Sequence, residues 1–261
     1  MLRSLFTAAT GMEAQQLRMD VVSNNLANVS TTGFKKVRAE FEDLLSETIR
    51  GATAPDVNGG TAPTPFQVGL GVRTGTTSRS FSQGEMVATK NPLDVAIEGQ
   101  GFFQVQRANA ELAYTRAGNF RVDSTGRLVT QHGELVEPQI TLPTDATEVQ
   151  VKPDGTIWVR VPGRDAMQEV GSLELHTFPN PAGLEALGSN LFAETMASGT
   201  VVTARPGEQG TGTLLQGYLE GANVKAVEEM IEMIATQRAY ELNSKVIQTA
   251  DQMLQRLTTL R

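Results

Sequence analysis

The chain has 261 residues, 39% hydrophobic and 20% charged, with no Cys, two His and a formal net charge of −7. Without Cys, thiol catalysis, disulfides and Cys-based zinc sites are excluded, and the widely separated His132 and His176 do not make a His-rich metal centre. The negative balance argues against a phosphate-neutralising surface, so no nucleic acid is expected as a partner, and no apolar run approaches the roughly 18–20 residues of a membrane span.

These averages conceal a division into three. All 11 Pro and 22 of the 25 Gly fall between residues 51 and 220. Residues 1–50 and 221–261 each balance acidic against basic side chains, so the whole net charge belongs to the middle. Two neutral, breaker-poor ends flank an acidic, turn-rich centre, a symmetry for which a globular enzyme gives no reason. The opening Met1-Leu2-Arg3-Ser4-Leu5-Phe6 has neither an apolar signal core nor a small-residue cleavage site, so no cleaved signal peptide is expected.

In chain order, residues 4–29 predict a helix. Leu5, Met12, Met19 and Leu26 recur at heptad spacing, Ala8, Val22 and Val29 fill the companion row, and Gln15 interrupts it. Ser4 reads as its N-cap and Gly33 as the residue that ends the run. Residues 51–66 are rich in Gly, Pro, Thr and Ala with few apolar anchors and read as a loop. They run into β-prone residues mixed with glycines at 67–79, a stretch expected to take its order from a neighbouring subunit more than from its own chain.

The centre predicts short strands and turns. Leu93-Asp94-Val95-Ala96-Ile97 and Phe102-Phe103-Gln104-Val105 flank a Gly-Gln-Gly turn. Asp123-Ser124-Thr125-Gly126 is a hairpin signal between Phe120-Arg121-Val122 and Arg127-Leu128-Val129. Lys152-Pro153-Asp154-Gly155 is another, joining Glu148-Val149-Gln150-Val151 to Thr156-Ile157-Trp158-Val159. Leu173–178 adds a further strand, so a compact β domain is expected at about 91–199.

The C-terminal helix, expected over 224–261 with Asn223 as its cap, is stronger. Glu228 and Glu229 suit its positive start, and Arg256 and Arg261 its negative end. One apolar row runs Val227, Ile231, Ile234, Leu242, Val246, Met253, Leu257 and Leu260; a second runs Met233, Tyr240, Ile247 and Leu254. Two adjacent rows make a face broad enough for more than one neighbour. The thin N-terminal stripe cannot cover both, so the ends are expected to fold only where other copies supply the missing surface. Polar residues inside these ends, namely Asn24, Asn25 and Asn28 in the first and Gln237, Arg238 and Glu241 in the second, read as buried interface residues that fix register.

Catalytic readings find little support. Gly69, Gly71 and Gly75 depart from the dinucleotide spacing and open no helix. The carboxylate pairs Glu228/Glu229 and Asp94/Glu98 have no nearby His, and solvent-facing or helix-start roles suffice for them. Neither His has a nucleophile setting. No catalytic residue, metal site or cofactor is therefore expected. A monomeric adhesin-like or carbohydrate-binding β domain is the alternative of a different class, though only Trp158 and three Tyr offer sugar-stacking rings.

Three separated motifs carry a resemblance. Ser23-Asn24-Asn25-Leu26-Ala27-Asn28-Val29-Ser30-Thr31-Thr32-Gly33-Phe34-Lys35 resembles the N-terminal signature of bacterial flagellar rod and hook proteins. Glu229-Met230-Ile231-Glu232-Met233-Ile234 with Gln237-Arg238-Ala239-Tyr240-Glu241 resembles their C-terminal signature. Asn91-Pro92-Leu93-Asp94, Gly101-Phe102-Phe103 and Thr115-Arg116-Ala117-Gly118-Asn119-Phe120 between them are similar to that family too. Length and the extended 46–73 segment point within it to the distal rod, with a proximal rod or hook-type subunit as the alternative. The resemblance implies a non-enzymatic α+β subunit whose terminal helices pack as a coiled-coil-like pair. Residues 1–40 and 222–261 would form the helical core, 41–90 and 200–221 a connecting domain, and 91–199 an outward β domain. It further implies export through the flagellar apparatus and helical self-assembly into a rod across the periplasm. Implied partners are proximal rod proteins, the hook or hook junction, and the surrounding outer-membrane and peptidoglycan rings.

Overall fold

The computed structural model describes residues 2–51, 64–163 and 166–259. Residues 52–63, the middle of the 46–73 segment, lie outside the described residues, as do Leu260, Arg261 and the side chain of Leu257. Two long helices stand at the ends, α1 (Leu2–Ala27) and α2 (Ala226–Thr259), with short strands between them, an α+β arrangement. The chain divides into two compact units. One gathers the described parts of 1–26, 37–78 and 225–261; the other gathers 27–36 and 79–224.

The strands Val37–Asp43 and Val72–Arg79, which but for Arg79 lie in the first unit, form a two-stranded ribbon, and Glu47–Arg50 pairs with Phe66–Val68. The chain's own strands order residues 66–68 and 72–79, a correction to the expectation that a neighbouring subunit orders 67–79. Arg73 grips Glu42 across the ribbon at 2.9 Å, and Ser78 donates to Glu40 at 2.6 Å. Gly71, at φ +118°, lies against α1: a Cβ there would sit 2.4 Å from the Thr10 hydroxyl. Close approach to a helix, not nucleotide binding, explains that glycine.

α1 begins at Leu2, so Ser4 is inside the helix and not its cap. It also stops at Ala27, six residues before Gly33, because Asn28-Val29-Ser30-Thr31 turns the chain, with Thr31 N–H donating to Asn28 O. Asn223 is likewise no cap for α2. Its carbonyl oxygen accepts from Lys36 N–H at 2.6 Å and its amide donates to Ser80 O at 2.9 Å, which ties two loops of the second unit together.

The second unit is the β domain. Seven strands lie in the spatial order 185–188, 191–193, 112–115, 103–106, 135–137, 128–129 and 121–122, and all the neighbouring pairs with printed register are antiparallel. Both expected hairpins are present. Leu128 pairs with Val122 and Val151 with Ile157, while Gly126 and Gly155 supply the positive φ of their turns. Strand alternation sorts adjacent phenylalanines into two cores. Phe103 joins Val95, Ile97, Val105, Phe120 and Leu214 in the aliphatic core. Phe102 faces Phe178, Phe192 and Tyr114, which pack edge to face with centroids 4.8–6.2 Å apart.

Gln216 closes an exposed edge here. Its amide donates to Pro92 O and Val149 O, both at 2.8 Å, and its carbonyl accepts from Val151 N–H at 3.1 Å. A side chain thus satisfies the free backbone of the strand Glu148–Val151.

Candidate assembly surfaces

The first signature fixes its own chain before it meets any other. Asn25 is buried at the end of α1, donates to Val37 O at 2.9 Å and accepts from Val37 N–H at 3.0 Å. Its amide also donates to Glu229 Oε2 at 3.2 Å, which brings the two end motifs into one polar contact. Glu229 is fully buried, a correction to the solvent-facing role expected of it. Asp94 is buried as well, accepting from the Asn91 amide at 2.9 Å. Further along, Arg18 donates to Glu232 at 2.7 and 2.9 Å, and Gly11 leaves room for Asn243, whose amide nitrogen would lie 3.0 Å from an added Cβ.

Distribution on α2 separates the two expected rows. Glu229, Thr236 and Ala250 are buried, and Met233, Ile247 and Leu254 are half-buried on the same face. Tyr240, in that register, is 40% exposed. The other row faces solvent: Val227, Ile231, Ile234, Leu242, Val246 and Met253 are all exposed. On α1, Val22 is buried while Leu5, Met12, Met19 and Leu26 are half-buried. Of the polar residues expected inside an interface, Asn25 is buried by its own chain, Asn28 is half-buried, and Asn24, Gln237, Arg238 and Glu241 are exposed.

Gly33, Phe34 and Lys35 belong to the second unit. Gly33 takes φ +71° and donates to Glu220 O at 2.8 Å, and a Cβ there would come within 2.8 Å of Ala117 N. Phe34 is buried beneath the Arg79 guanidinium, 6.0 Å from its ring centroid. Lys35 is wholly buried and meets Glu220 Oε1 at 2.6 Å and Ser82 O at 2.8 Å. Arg116 holds the other carboxylate oxygen at 2.8 Å and donates to Gly99 O and Gly101 O. Burial pushes the Lys35 ammonium below its usual pKa against the opposing pull of Glu220. Burial would raise Glu220, but Arg116 and Lys35 together hold its carboxyl below the usual range.

Sequence reasoning quoted Lys35 and Arg116 within motifs but did not pair them, and it missed Glu220. The only available signal was their presence beside motif glycines. The triad is a lock between three distant segments, with both carboxylate oxygens committed to cations. Among the described residues no cluster of His, Asp or Glu is placed to hold a metal ion, and no helix is long and apolar enough to cross a membrane.

Comparison with known proteins bears on all of these segments. The family described as "Flagella basal body rod protein" matches residues 5–35, "Flagellar hook protein FlgE/F/G D1 domain" matches 96–159, and "Flagellar basal body rod FlgEFG protein C-terminal" matches 215–260. Helical ends carrying the rod signatures around a β domain define the class, the axial proteins of the flagellar rod and hook. The flagellar basal-body rod protein FlgG of Caulobacter vibrioides is 49% identical over 261 residues, covering 100% of both chains. That of Buchnera aphidicola from Acyrthosiphon pisum is 49% identical over 260 residues, again covering both in full. The flagellar hook protein FlgE of Helicobacter pylori is 46% identical over 138 residues, which is 52% of this chain and 19% of that one. The chain belongs to the FlgG family of flagellar basal-body rod proteins, and its place is the flagellar basal body.

Proposed function

We propose that this chain is a structural, non-catalytic subunit of the flagellar distal rod, assembling helically into a hollow shaft that carries torque from motor to hook. One observation carries the reading: the apolar row of α2 stands in solvent, with Val227 68%, Ile231 63% and Leu242 62% exposed. A continuous apolar row of this kind marks a face that another chain covers. The occupant is a second copy, since full-length similarity is to rod proteins and the stripe of α1 is too thin to cover both rows of α2.

Covered positions of α2 at Glu229, Met233, Thr236, Asn243, Ile247, Ala250 and Leu254, with the 40% exposed Tyr240 completing the register, are spaced by four and three residues, as in a coiled-coil seam. That supports a coiled-coil-like pairing of α1 with α2 as the helical core domain of residues 1–40 and 222–261. Asn24, Asn28, Gln237, Arg238 and Glu241 then set register between copies, with Gly33 and Phe34 holding the turn that follows α1. Contacts between different surfaces of successive copies do not close on themselves and so extend as a helix. Residues 41–90 and 200–221 connect this core to an outer β domain at 91–199, and 46–73 bridge to neighbouring subunits. The axis meets proximal rod proteins below, hook or hook-junction proteins above and the ring proteins around it, after passage through the export apparatus.

Ile231→Asp with Leu242→Asp tests the reading. The soluble chain is expected to keep its β-domain melting temperature while electron microscopy finds no filaments. Filaments of normal length from the double variant would overturn it.

A further inference from the structure

The geometry points to Met196 as a methionine oxidation site, a thioether offered to peroxide-type oxidants by a turn that holds it clear of the fold. Met196 has a relative exposure of 104%, as open as a side chain in an extended peptide. Met230 and Met253 are about half as exposed, and Met12, Met19, Met86, Met167 and Met233 are partly covered.

The turn beneath it is firmly built. Thr195 N–H donates to the Ser198 hydroxyl at 3.1 Å, and that hydroxyl donates back to Thr195 O at 2.8 Å. The Thr195 hydroxyl donates to Gly183 O at 2.6 Å, and the Asn180 amide donates to Ala197 O at 2.9 Å. Ser198 is fully buried, and Gly183 packs so closely that a Cβ would lie 2.7 Å from the Ala197 carbonyl carbon. Every one of these bonds avoids the Met196 side chain, so the turn keeps its shape whatever happens to the sulfur.

The chemistry needs only access. The sulfur lone pair attacks one peroxide oxygen, the S–O bond forms as the O–O bond breaks, and the departing hydroxide takes the proton of the transferred oxygen and leaves as water, so the sulfur ends as the sulfoxide. Sulfur is oxidised by two electrons and the peroxide is reduced by two. A sulfoxide is polar and reversible by dedicated reductases, and it damages a fold where it enters a packed face. At Met196 the new oxygen meets water. At Met233, half-buried on the inner face of α2, it would enter packed contacts.

Limited hydrogen peroxide on the soluble full-length chain, followed by peptide mass spectrometry and a thermal melt, tests this. Met196 sulfoxide is expected first, at least about threefold faster than at Met230 or Met253, in line with the dependence of oxidation on access. The melting temperature of singly oxidised chain is expected to be unchanged, and Met196→Leu should lack the fast-oxidising peptide while melting normally. First oxidation at Met230 or Met253, or a lowered melting temperature once Met196 alone is oxidised, would overturn the assignment. No assembly is involved, so the outcome is independent of the rod reading.

Discussion

Asn25 pairs with Val37 as a neighbouring strand would, giving its amide to Val37 O and taking Val37 N–H on its own carbonyl oxygen. Its third bond, to Glu229, links the two ends of the chain, which are 204 positions apart. One side chain therefore starts a strand and registers one helix on the other.

Asn25→Ala should unfasten both. It strips two backbone groups of their side-chain partner and takes one hydrogen bond from the buried Glu229 carboxylate, at a cost of about 2–4 kcal/mol. The expected outcome is filaments that dissociate at lower temperature, with the β domain of the soluble chain melting as before.

The Lys35–Glu220–Arg116 lock is expected to show the asymmetry of buried ion pairs. Glu220→Ala leaves two cations facing each other in an interior site and should cost about 3–5 kcal/mol in urea denaturation. Because the folded carboxyl is held below its ordinary pKa, its contribution is complete above the ordinary carboxylate range and fades as pH falls below it. Glu220→Gln should remove that acid-side loss from the pH profile.

His176 governs a separate window. It is buried, its Nδ1 lies 3.0 Å from the Thr203 hydroxyl, its ring packs on Tyr114, and burial lowers its pKa to about 4. Below the ordinary value of 6.5 the unfolded chain takes up a proton that the folded chain refuses until about 4. Stability should therefore fall as pH drops through this interval, by up to about 1.4 kcal/mol per pH unit. His176→Phe should flatten the slope there, as read from urea midpoints at successive pH values.

Gly33→Ala adds a methyl group at φ +71° and against Ala117 N. A loss of about 1–3 kcal/mol from backbone strain and contact is expected in the unfolding free energy from urea denaturation. Val227→Ala, exposed on α2, should leave that free energy within about 0.5 kcal/mol.

How much was legible in advance differs from element to element. The two helices and the hairpins at 123–126 and 152–155 could be read because heptad spacing and short turns that begin with or contain Asp and end in Gly are local signals. Helix ends were misplaced at Ser4 and Gly33 for the same reason reversed. The chain leaves α1 at Ala27 through the Asn28–Thr31 turn, after which Asn25 bonds back to Val37, and Gly33 is needed for its closeness to Ala117, not for capping. Asn223 looked like a cap since Asn before a helix so often is one, yet its amide serves Lys36 and Ser80.

The sequence by itself determined that two apolar-striped, uncharged-on-balance ends enclose an acidic β centre, and its motifs were enough to place it among flagellar axial proteins. Only the tertiary structure decided which of the two α2 rows the chain covers for itself and which it leaves exposed, since periodicity gives faces but not neighbours. It alone also joined Lys35, Arg116 and Glu220, because the energy of burying charge depends on partners that lie up to 185 positions away along the chain.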